Sequence, residues 1–405
     1  MELNFGRIEV LLLIAAVVAM MARRLRLPYT VGLTMAGAAL AFAPLSFELK
    51  LTKELVFTAF LPPLIFEAAF HMQWRELRRD AGIIATLATL GVVLAAGVTT
   101  LGLHYGIGWP WSSSVLLGLL ISATDPVSVI ATFKEAGVSG RLRLLVESES
   151  LFNDGTVAVL YGVALAAATG GTISAGGAAG SFFVVVAGGI LCGALVGGAV
   201  LLLAGRTEDH LIELTFSTVA AYGSFFVAEH FHLSGVLATL TAGVLIGNTG
   251  HMGAFSDRGR SAVAAFWEYA GFVANSLIFL LIGIRLVGEH VLSVLSVATL
   301  VVGLVLIGRA LAVYGSCALF AGSRQRVSAR HQHILVWGGL RGALALALAL
   351  GLPETMPLHA EVVSVAFAVV AFSLVVQGIT MPPFLRRLGA IGPAPENPLD
   401  ETQTD

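Results

Sequence analysis

The sequence predicts an all-α membrane protein of about thirteen transmembrane helices. Hydrophobic residues make up 57% of the 405 residues and charged residues only 12%, whereas roughly a quarter of the residues of an ordinary soluble domain are charged. Apolar runs of roughly twenty residues recur along the chain, and a helix of that length crosses a hydrocarbon core of about 30 Å. None of these runs has the period-two alternation of a transmembrane β-strand. The medium around this fold is therefore lipid.

Polar interruptions divide the chain into its predicted spans. The spans cover residues 8–22, 28–44, 54–70, 81–103, 112–131, 146–168, 181–204, 211–229, 233–248, 262–286, 291–320, 332–351 and 360–381. Residues 1–387 thus form a single transmembrane unit, and 388–405 form a short polar cytoplasmic tail. The net charge of −2 gives no indication of nucleic-acid binding. Cys192 and Cys317 lie in apolar runs and indicate neither a disulfide framework nor a metal site.

Basic residues are distributed unequally between alternate gaps, and this orients the chain. With the N-terminus outside, the outer gaps hold Arg7, Lys50 and Lys53. The inner gaps hold Arg23, Arg24, Arg26, Arg75, Arg78, Arg79, Lys134, Arg141, Arg143, Arg206, Arg258, Arg260, Arg324, Arg326, Arg330, Arg386 and Arg387. Because cytoplasmic loops are enriched in Lys and Arg, we expect a multi-pass protein of the cell (inner) membrane with its C-terminus in the cytoplasm.

An odd number of spans permits two inverted six-helix repeats, spans 1–6 and 8–13. Such repeats are a common construction of secondary transporters, whose ion sites lie where matching helices of the two halves break near the midplane. In span 7, Gly189, Gly193 and Gly197 form a small-residue face. The sequence leaves two interpretations of this face: it packs against another helix of the same bundle, or it forms a contact between two protomers.

Five ionisable side chains stand out as candidates among those within or at the ends of apolar spans, where Arg285 and Arg309 also lie. An ionised group near the bilayer centre costs several kcal/mol, so each of them requires a partner or a function. The five candidates are Glu67, Asp125, Glu149, Asp154 and Arg341.

Span 5 contains the sequence Ser122-Ala123-Thr124-Asp125-Pro126. Pro126 lacks a backbone donor and disfavours helical geometry at the residue before it, so we expect the helix to open there. The opening exposes helix ends and carbonyl oxygens that can face an ion, and Thr124 adds a hydroxyl oxygen.

Span 6 opens with a polar stripe. Glu149 and Asn153 are four residues apart, as are Ser150 and Asp154, so on a helix these side chains share a face directed into the protein. A carboxyl group shielded from water can hold either a proton or a dehydrated cation. We therefore interpret Asp154 as the exchange site.

Span 12 contains Gly338, Gly339 and Gly342 around Arg341. Glycine weakens a helix and allows another backbone to come close, so we expect a second broken helix that matches span 5. Arg341 requires an anion; Glu149 is the preferred partner and Asp125 the alternative. Glu67, late in span 3, fits a site role and an interfacial position equally well.

These motifs together resemble those of NhaP/NHE-type sodium/proton antiporters of the monovalent cation:proton antiporter superfamily. The resemblance runs from span 3 to span 12. It rests on Ala123 to Pro126, Glu149 to Gly155, Gly338 to Gly342, Phe266-Trp267-Glu268 and Asn275-Ser276.

The resemblance implies a homodimer in which a core domain, residues 81–170 and 291–387, moves against an interface domain, residues 1–80 and 205–290. Span 181–204 would link them. By motif, Asp154 would bind Na⁺ or H⁺, with oxygens from Thr124 and Ser150, and Glu67 would reach the ion directly or through water. Glu149 would pair with Arg341, and Asp125, Pro126 and Asn153 would support the broken helices. Electrogenic relatives have a second aspartate at the position of Asn153, so one-for-one electroneutral exchange is implied.

The expected function is antiport of Na⁺ or Li⁺ against H⁺ across the bilayer, without a cofactor. A K⁺/H⁺ antiporter with the same site is the alternative, and a cation channel is a weaker one. An intramembrane enzyme that uses Ser148 or Ser150 is disfavoured, because no histidine or lysine is placed deep in a span near either serine.

Overall fold

The described part of the chain is built from helices. The computed structural model describes residues 5–25, 27–42, 51–135, 137–138, 140–170, 175–249, 255–288 and 294–390, and no strand occurs among them. The α-helices are α1 (Phe5–Leu25), α2 (Tyr29–Leu40), α3 (Lys53–Leu55), α4 (Leu61–Phe70), α5 (Trp74–Ala88), α6 (Leu90–Ile107), α7 (Trp111–Leu120), α8 (Pro126–Glu135), α9 (Arg141–Ala168), α10 (Ala175–Ala204), α11 (His210–His230), α12 (Gly235–Thr249), α13 (Asp257–Gly288), α14 (Leu295–Leu319), α15 (Ala329–Trp337), α16 (Ala343–Leu350), α17 (His359–Phe372) and α18 (Gly378–Arg387).

Every predicted span coincides with one or two of these helices, which confirms the all-α membrane fold. Seven helical stretches in the described residues are long and apolar enough to cross a membrane without interruption. Several other spans are divided into shorter helices. The number thirteen and the inverted repeats remain predictions.

The distribution of polar and apolar side chains is the reverse of that in a soluble protein. Leu13, Phe183 and Leu202 are 65%, 68% and 75% exposed, whereas Glu149 and Ser148 are fully buried. Large apolar side chains on the outside and polar side chains inside the bundle are what a lipid environment favours.

The glycine face of α10 packs within the chain. A Cβ added to Gly193 would lie 2.1 Å from the carbonyl oxygen of Ala238, and one added to Gly189 would lie 2.7 Å from that of Ser234. Both partners belong to the α12 region, so these glycines allow α10 and α12 to pack closely. Of the two alternatives left open by the sequence, packing within the bundle accounts for this face.

Spans 5 and 12 are both broken, as the sequence predicts. Residues 121–125 separate α7 from α8, and residues 338–342 separate α15 from α16. Spans 3 and 13 each contain a π-helical turn that the sequence analysis does not predict, at Val56–Phe60 and Ser373–Gln377. The predicted tail lies outside the described residues from 391 onwards.

Candidate ion-binding site

The break in span 5 is organised by Asp125 and Pro126. Pro126 is the first residue of α8, a position where the N–H that proline lacks is not needed by the helix. The Oδ2 atom of Asp125 accepts hydrogen bonds from the backbone N–H of Ser128, at 3.3 Å, and from the Ser128 hydroxyl. Asp125 thus caps the N-terminus of α8 inside the membrane domain.

Asn153 satisfies the carbonyl group that Pro126 leaves without a donor. In a continuous helix the carbonyl of Ser122 would accept from the N–H of the residue at position 126, which is proline. Instead, Nδ2 of Asn153 donates to this carbonyl at 3.2 Å and also to Oε1 of Glu149 at 3.3 Å. The polar stripe of α9 is thereby attached to the break.

The two broken spans meet at their breaks. The backbone N–H of Asp125 donates to the carbonyl of Leu340 at 2.7 Å. A Cβ added to Gly342 would lie 2.5 Å from Cβ of Asp125, closer than any side chain allows. Glycine at position 342 therefore permits the close approach of α8 and α16 at this point.

A cavity of about 30 Å³ lies where the breaks meet α4 and α9. Its polar lining comes from Thr124, Asp125 and Asp154, and the remaining lining residues are Leu61, Leu64, Ile65, Ala123, Pro126, Leu151, Gly342, Ala343, Leu344 and Ala345. This volume accommodates one water molecule or one dehydrated ion.

Asp154 is the acidic group of α9 in this cavity. The residue is 6% exposed, and its Oδ1 atom has no hydrogen-bond partner among the described residues. Thr124, on the other side of the cavity, donates to Oγ of Ser150 at 3.1 Å, so the lone pairs of the Thr124 oxygen can still accept a cation. A buried carboxylate with an unsatisfied oxygen can bind a proton or a cation, and each displaces the other.

Glu149 is paired with Arg309 of α14, and the predicted pair with Arg341 is wrong. Nη1 and Nη2 of Arg309 donate to the two carboxylate oxygens of Glu149 at 2.7 and 2.8 Å. Arg309 also donates from Nε and Nη2 to the carbonyl of Leu335, at 3.2 and 3.0 Å. In a continuous span 12 that carbonyl would accept from residue 339, so Arg309 satisfies a group freed by the second break.

Arg341 lines a second cavity, of about 10 Å³, with Ser373 and Gln377, among apolar residues of α14 and α17. The residue is 2% exposed, and its Nε and Nη1 atoms have no hydrogen-bond partner among the described residues.

Two predicted ion ligands, Ser150 and Glu67, are not among the residues lining the cavity. Ser150 is connected to the lining by the hydrogen bond that it accepts from Thr124, and Glu67 lies further along its helix. Its helix, α4, contributes Leu61, Leu64 and Ile65 to the wall. The carboxylate of Glu67 lies 3.8 Å from Nδ1 of His71, one turn further along α4, and the side chain is 33% exposed. A role of Glu67 in ion binding remains a prediction.

Four residues whose contacts organise this region were not among the predicted site residues: Ser128, Arg309, Ser373 and Gln377. A signal for Arg309 was present, because an arginine in the middle of the apolar run 291–320 requires a buried acid. Ser128, Ser373 and Gln377 carry no charge, so their sequence context alone does not distinguish them from other polar residues of a span.

Comparison with known proteins decides the family. The family model described as "Sodium/hydrogen exchanger, transmembrane" matches residues 11–387. The chain belongs to this family. The resemblance to NhaP/NHE-type antiporters is thereby confirmed for nearly the whole length of the chain.

Relatives of this exchanger agree with the assignment. The chain is 35% identical over 377 residues to the low-affinity Na⁺/H⁺ antiporter NhaS1 of Synechocystis, covering 92% of this chain and 71% of the relative. It is 32% identical over 398 residues to the Na⁺/H⁺ antiporter NhaH of Halobacillus aidingensis, covering 95% and 98%. The solved structure of the sodium proton antiporter MjNhaP1 of Methanocaldococcus jannaschii has the same fold, with a TM-score of 0.76, 19% identity and coverage of 97% and 100%.

Proposed function

We propose that this exchanger moves Na⁺ in one direction and H⁺ in the other by binding them alternately at Asp154. The observation that carries the proposal is the buried, unsatisfied Oδ1 atom of Asp154 in a cavity between two broken helices. The names of the relatives, all Na⁺/H⁺ antiporters, support sodium as the cation. Li⁺, a smaller ion of the same charge, is expected to be accepted as well.

Competition at one carboxylate couples the two ions. Sodium enters only when Asp154 is deprotonated, and a proton enters only when the cation has left. Thr124 and Ser150 are proposed to supply neutral oxygens, which compensate part of the lost hydration shell of Na⁺. The apolar wall of α4 and α16 keeps bulk water away, so an empty, ionised Asp154 is costly to move across the membrane.

Alternating access is proposed to involve movement of the core domain, 81–170 and 291–387, against the interface domain, 1–80 and 205–290. The packing of the described helices supports this division. α14 packs against α6 and α17, whereas α13 packs against α2 and α4. The cavity lies between α4 on one side and α9, α8 and α16 on the other, which is where such a movement would expose it to either face.

One-for-one exchange is supported by the charges around Asp154. The charge of Glu149 is compensated by Arg309, and Asn153, next to Asp154, is neutral. A carrier in which the same carboxylate is neutralised by either Na⁺ or H⁺ carries the same net charge in both loaded states. We therefore propose electroneutral exchange.

Three other readings receive less support. A K⁺/H⁺ antiporter would use the same site, but the relatives are named for sodium. A channel does not require a titrating buried carboxylate. An enzyme is not indicated, because the family consists of ion exchangers.

The direct test compares the unmodified chain with Asp154→Asn in proteoliposomes that contain a pH-sensitive dye. Addition of NaCl should move protons in the unmodified protein and not in Asp154→Asn, because an amide cannot exchange a proton for a cation. Asp257→Asn, at an exposed residue, is the matched control and should transport normally. Sodium-driven proton movement in Asp154→Asn at the unmodified rate would rule out the proposal, and a response to KCl alone would favour the potassium exchanger.

The proposed assembly is a homodimer in the cell membrane, with the N-terminus outside and the C-terminus inside. The orientation can be tested by single-cysteine labelling of Lys53→Cys and Arg324→Cys with an impermeant reagent, in intact cells and in permeabilised cells. Labelling of residue 53 from outside and of residue 324 only after permeabilisation is expected. Mass measurement of the protein in nanodiscs tests the dimer.

A further inference from the structure

The break in span 12 separates two backbone groups that a continuous helix would join. In an α-helix the N–H of residue 341 donates to the carbonyl of residue 337. Because α15 ends at Trp337 and α16 begins at Ala343, this bond cannot form. Arg341 is 2% exposed and Trp337 is partly buried, and an unpaired backbone group shielded from water is costly.

Two side chains of span 13 replace the missing bond by a relay. The N–H of Arg341 donates to Oγ of Ser373 at 2.8 Å, and the Ser373 hydroxyl donates to Oε1 of Gln377 at 2.7 Å. Nε2 of Gln377 then donates to the carbonyl of Trp337 at 3.1 Å. Ser373 and Gln377 are 1% and 4% exposed, so no group in the relay depends on solvent.

Ser373 and Gln377 are the first and last residues of the π-helical turn of span 13. Residues four apart lie on one face of a helix, so both side chains can reach the break in span 12. Single π turns inside α-helices occur frequently at functional sites.

Span 5 contains the corresponding device. There the carbonyl of Ser122, freed by Pro126, accepts from the amide of Asn153 in the next span along the chain. In span 12 the carbonyl of Trp337 accepts from the amide of Gln377, again in the next span. In the predicted repeats span 5 corresponds to span 12 and span 6 to span 13, so Gln377 occupies in the second half the role that Asn153 has in the first.

We propose that Ser373 and Gln377 are positioning residues of the ion site. Their relay holds the ends of the break apart, which fixes residues 340–342 against Asp125 and therefore sets the width of the cavity that contains Asp154. Neither side chain touches the ion. The inference rests on the proposed Na⁺/H⁺ exchange, because it assigns these residues to the site where that exchange occurs.

A double-mutant cycle tests whether the two side chains form one relay. Ser373→Ala and Gln377→Met should each raise the KM for Na⁺ by about tenfold, because each leaves a buried backbone group unpaired and the break less well fixed. The double variant should be no worse than either single variant, since removing one member already interrupts the relay. Ser373→Thr keeps the hydroxyl and should restore the KM. Val376→Ala, on the same turn but 39% exposed, is the matched control.

The possible outcomes distinguish a failure of the proposed relay from a failure of the proposed Na⁺/H⁺ exchange. Effects of the two single variants that multiply in the double variant, or a KM unchanged in both, would overturn the relay while leaving Na⁺/H⁺ exchange intact. Absence of sodium-driven proton movement in the unmodified protein would instead overturn the proposed function.

Hydrogen–deuterium exchange on the unmodified protein provides a test that needs no variant to fold. The relay predicts slow exchange of the Arg341 amide. Fast exchange of that amide would overturn the relay.

Discussion

Arg309 donates to both carboxylate oxygens of Glu149, at 2.7 and 2.8 Å, and the same guanidinium holds the carbonyl of Leu335. This contact joins spans 6, 11 and 12 at one buried point. Arg309 is 6% exposed and Glu149 is fully buried, so neither charge is stabilised by bulk water. The pair therefore attaches the helix that bears Asp154 to the second broken span.

The ion pair should be required for stability. Removing one partner of a buried pair leaves an uncompensated charge, which costs about 3–5 kcal/mol. Arg309→Met should therefore lower the Tm of the detergent-solubilised protein markedly, and adding Glu149→Gln should recover part of the loss. Arg324→Met, at an exposed loop arginine, should leave the Tm unchanged. If Glu149→Gln instead rescued Arg341→Met and not Arg309→Met, the originally expected Glu149–Arg341 pair would be supported.

Gly342 should tolerate no side chain. Alanine there would place its Cβ 2.5 Å from Cβ of Asp125, so the crossing of the two breaks would have to widen. We expect Gly342→Ala to reduce the exchange rate at least tenfold. Gly303→Ala is the matched control, because no heavy atom lies within 4 Å of a Cβ at that position. Equal rates in the two variants would show that the close approach is not needed for transport.

The hydroxyl of Thr124 should contribute to sodium affinity. Loss of a polar partner in a buried site costs about 1–3 kcal/mol, so Thr124→Ala should raise the KM for Na⁺ by about tenfold. Thr124→Ser retains the oxygen and should remain close to the unmodified protein. Thr99→Ala serves as control, since Thr99 bonds only to the carbonyl of Ala95 in its own helix in the described structure. A KM that does not respond to Thr124→Ala would remove Thr124 from the proposed ligands.

Exchange should be insensitive to membrane potential. If Asp154 alone is neutralised, by Na⁺ on one half-cycle and H⁺ on the other, no net charge crosses the bilayer. Proteoliposomes with the potential clamped at positive, zero and negative values by a potassium gradient and an ionophore should show the same initial rate. A rate that changes several-fold with the potential would indicate that a second charge moves with the site.

Local breaks in the helices were predictable from sequence because their causes are local. Pro126 removes the donor for Ser122 wherever span 5 lies in the bundle, and glycines 338, 339 and 342 weaken span 12 in the same way. The polar stripe of span 6 followed from helical spacing, which places Asp154 on an inward face. These arguments need no knowledge of neighbouring helices.

The partners of the buried charges were not predictable in the same way. Two arginines within the apolar spans, Arg309 and Arg341, could pair with Glu149. The sequence does not say which of the two guanidinium groups lies close to the Glu149 carboxylate. The choice depends on how α14 packs beside α9 and on which way residue 341 turns after the break. The relay through Ser373 and Gln377 depends likewise on packing that brings two neutral side chains beside the break in span 12.

The sequence by itself determined that the chain is helical and lipid-embedded, that two of its spans break, and that one carboxyl group on span 6 is suited to exchanging cations for protons. Tertiary structure alone decided which arginine neutralises Glu149, which residues close the cavity around Asp154 and which side chains satisfy the broken backbone. The physical reason is the difference in sequence range between these two kinds of effect. Propensity, proline geometry and desolvation act on a residue through its own segment, whereas ion pairs and hydrogen bonds between spans exist only when packing brings two distant segments within about 3 Å.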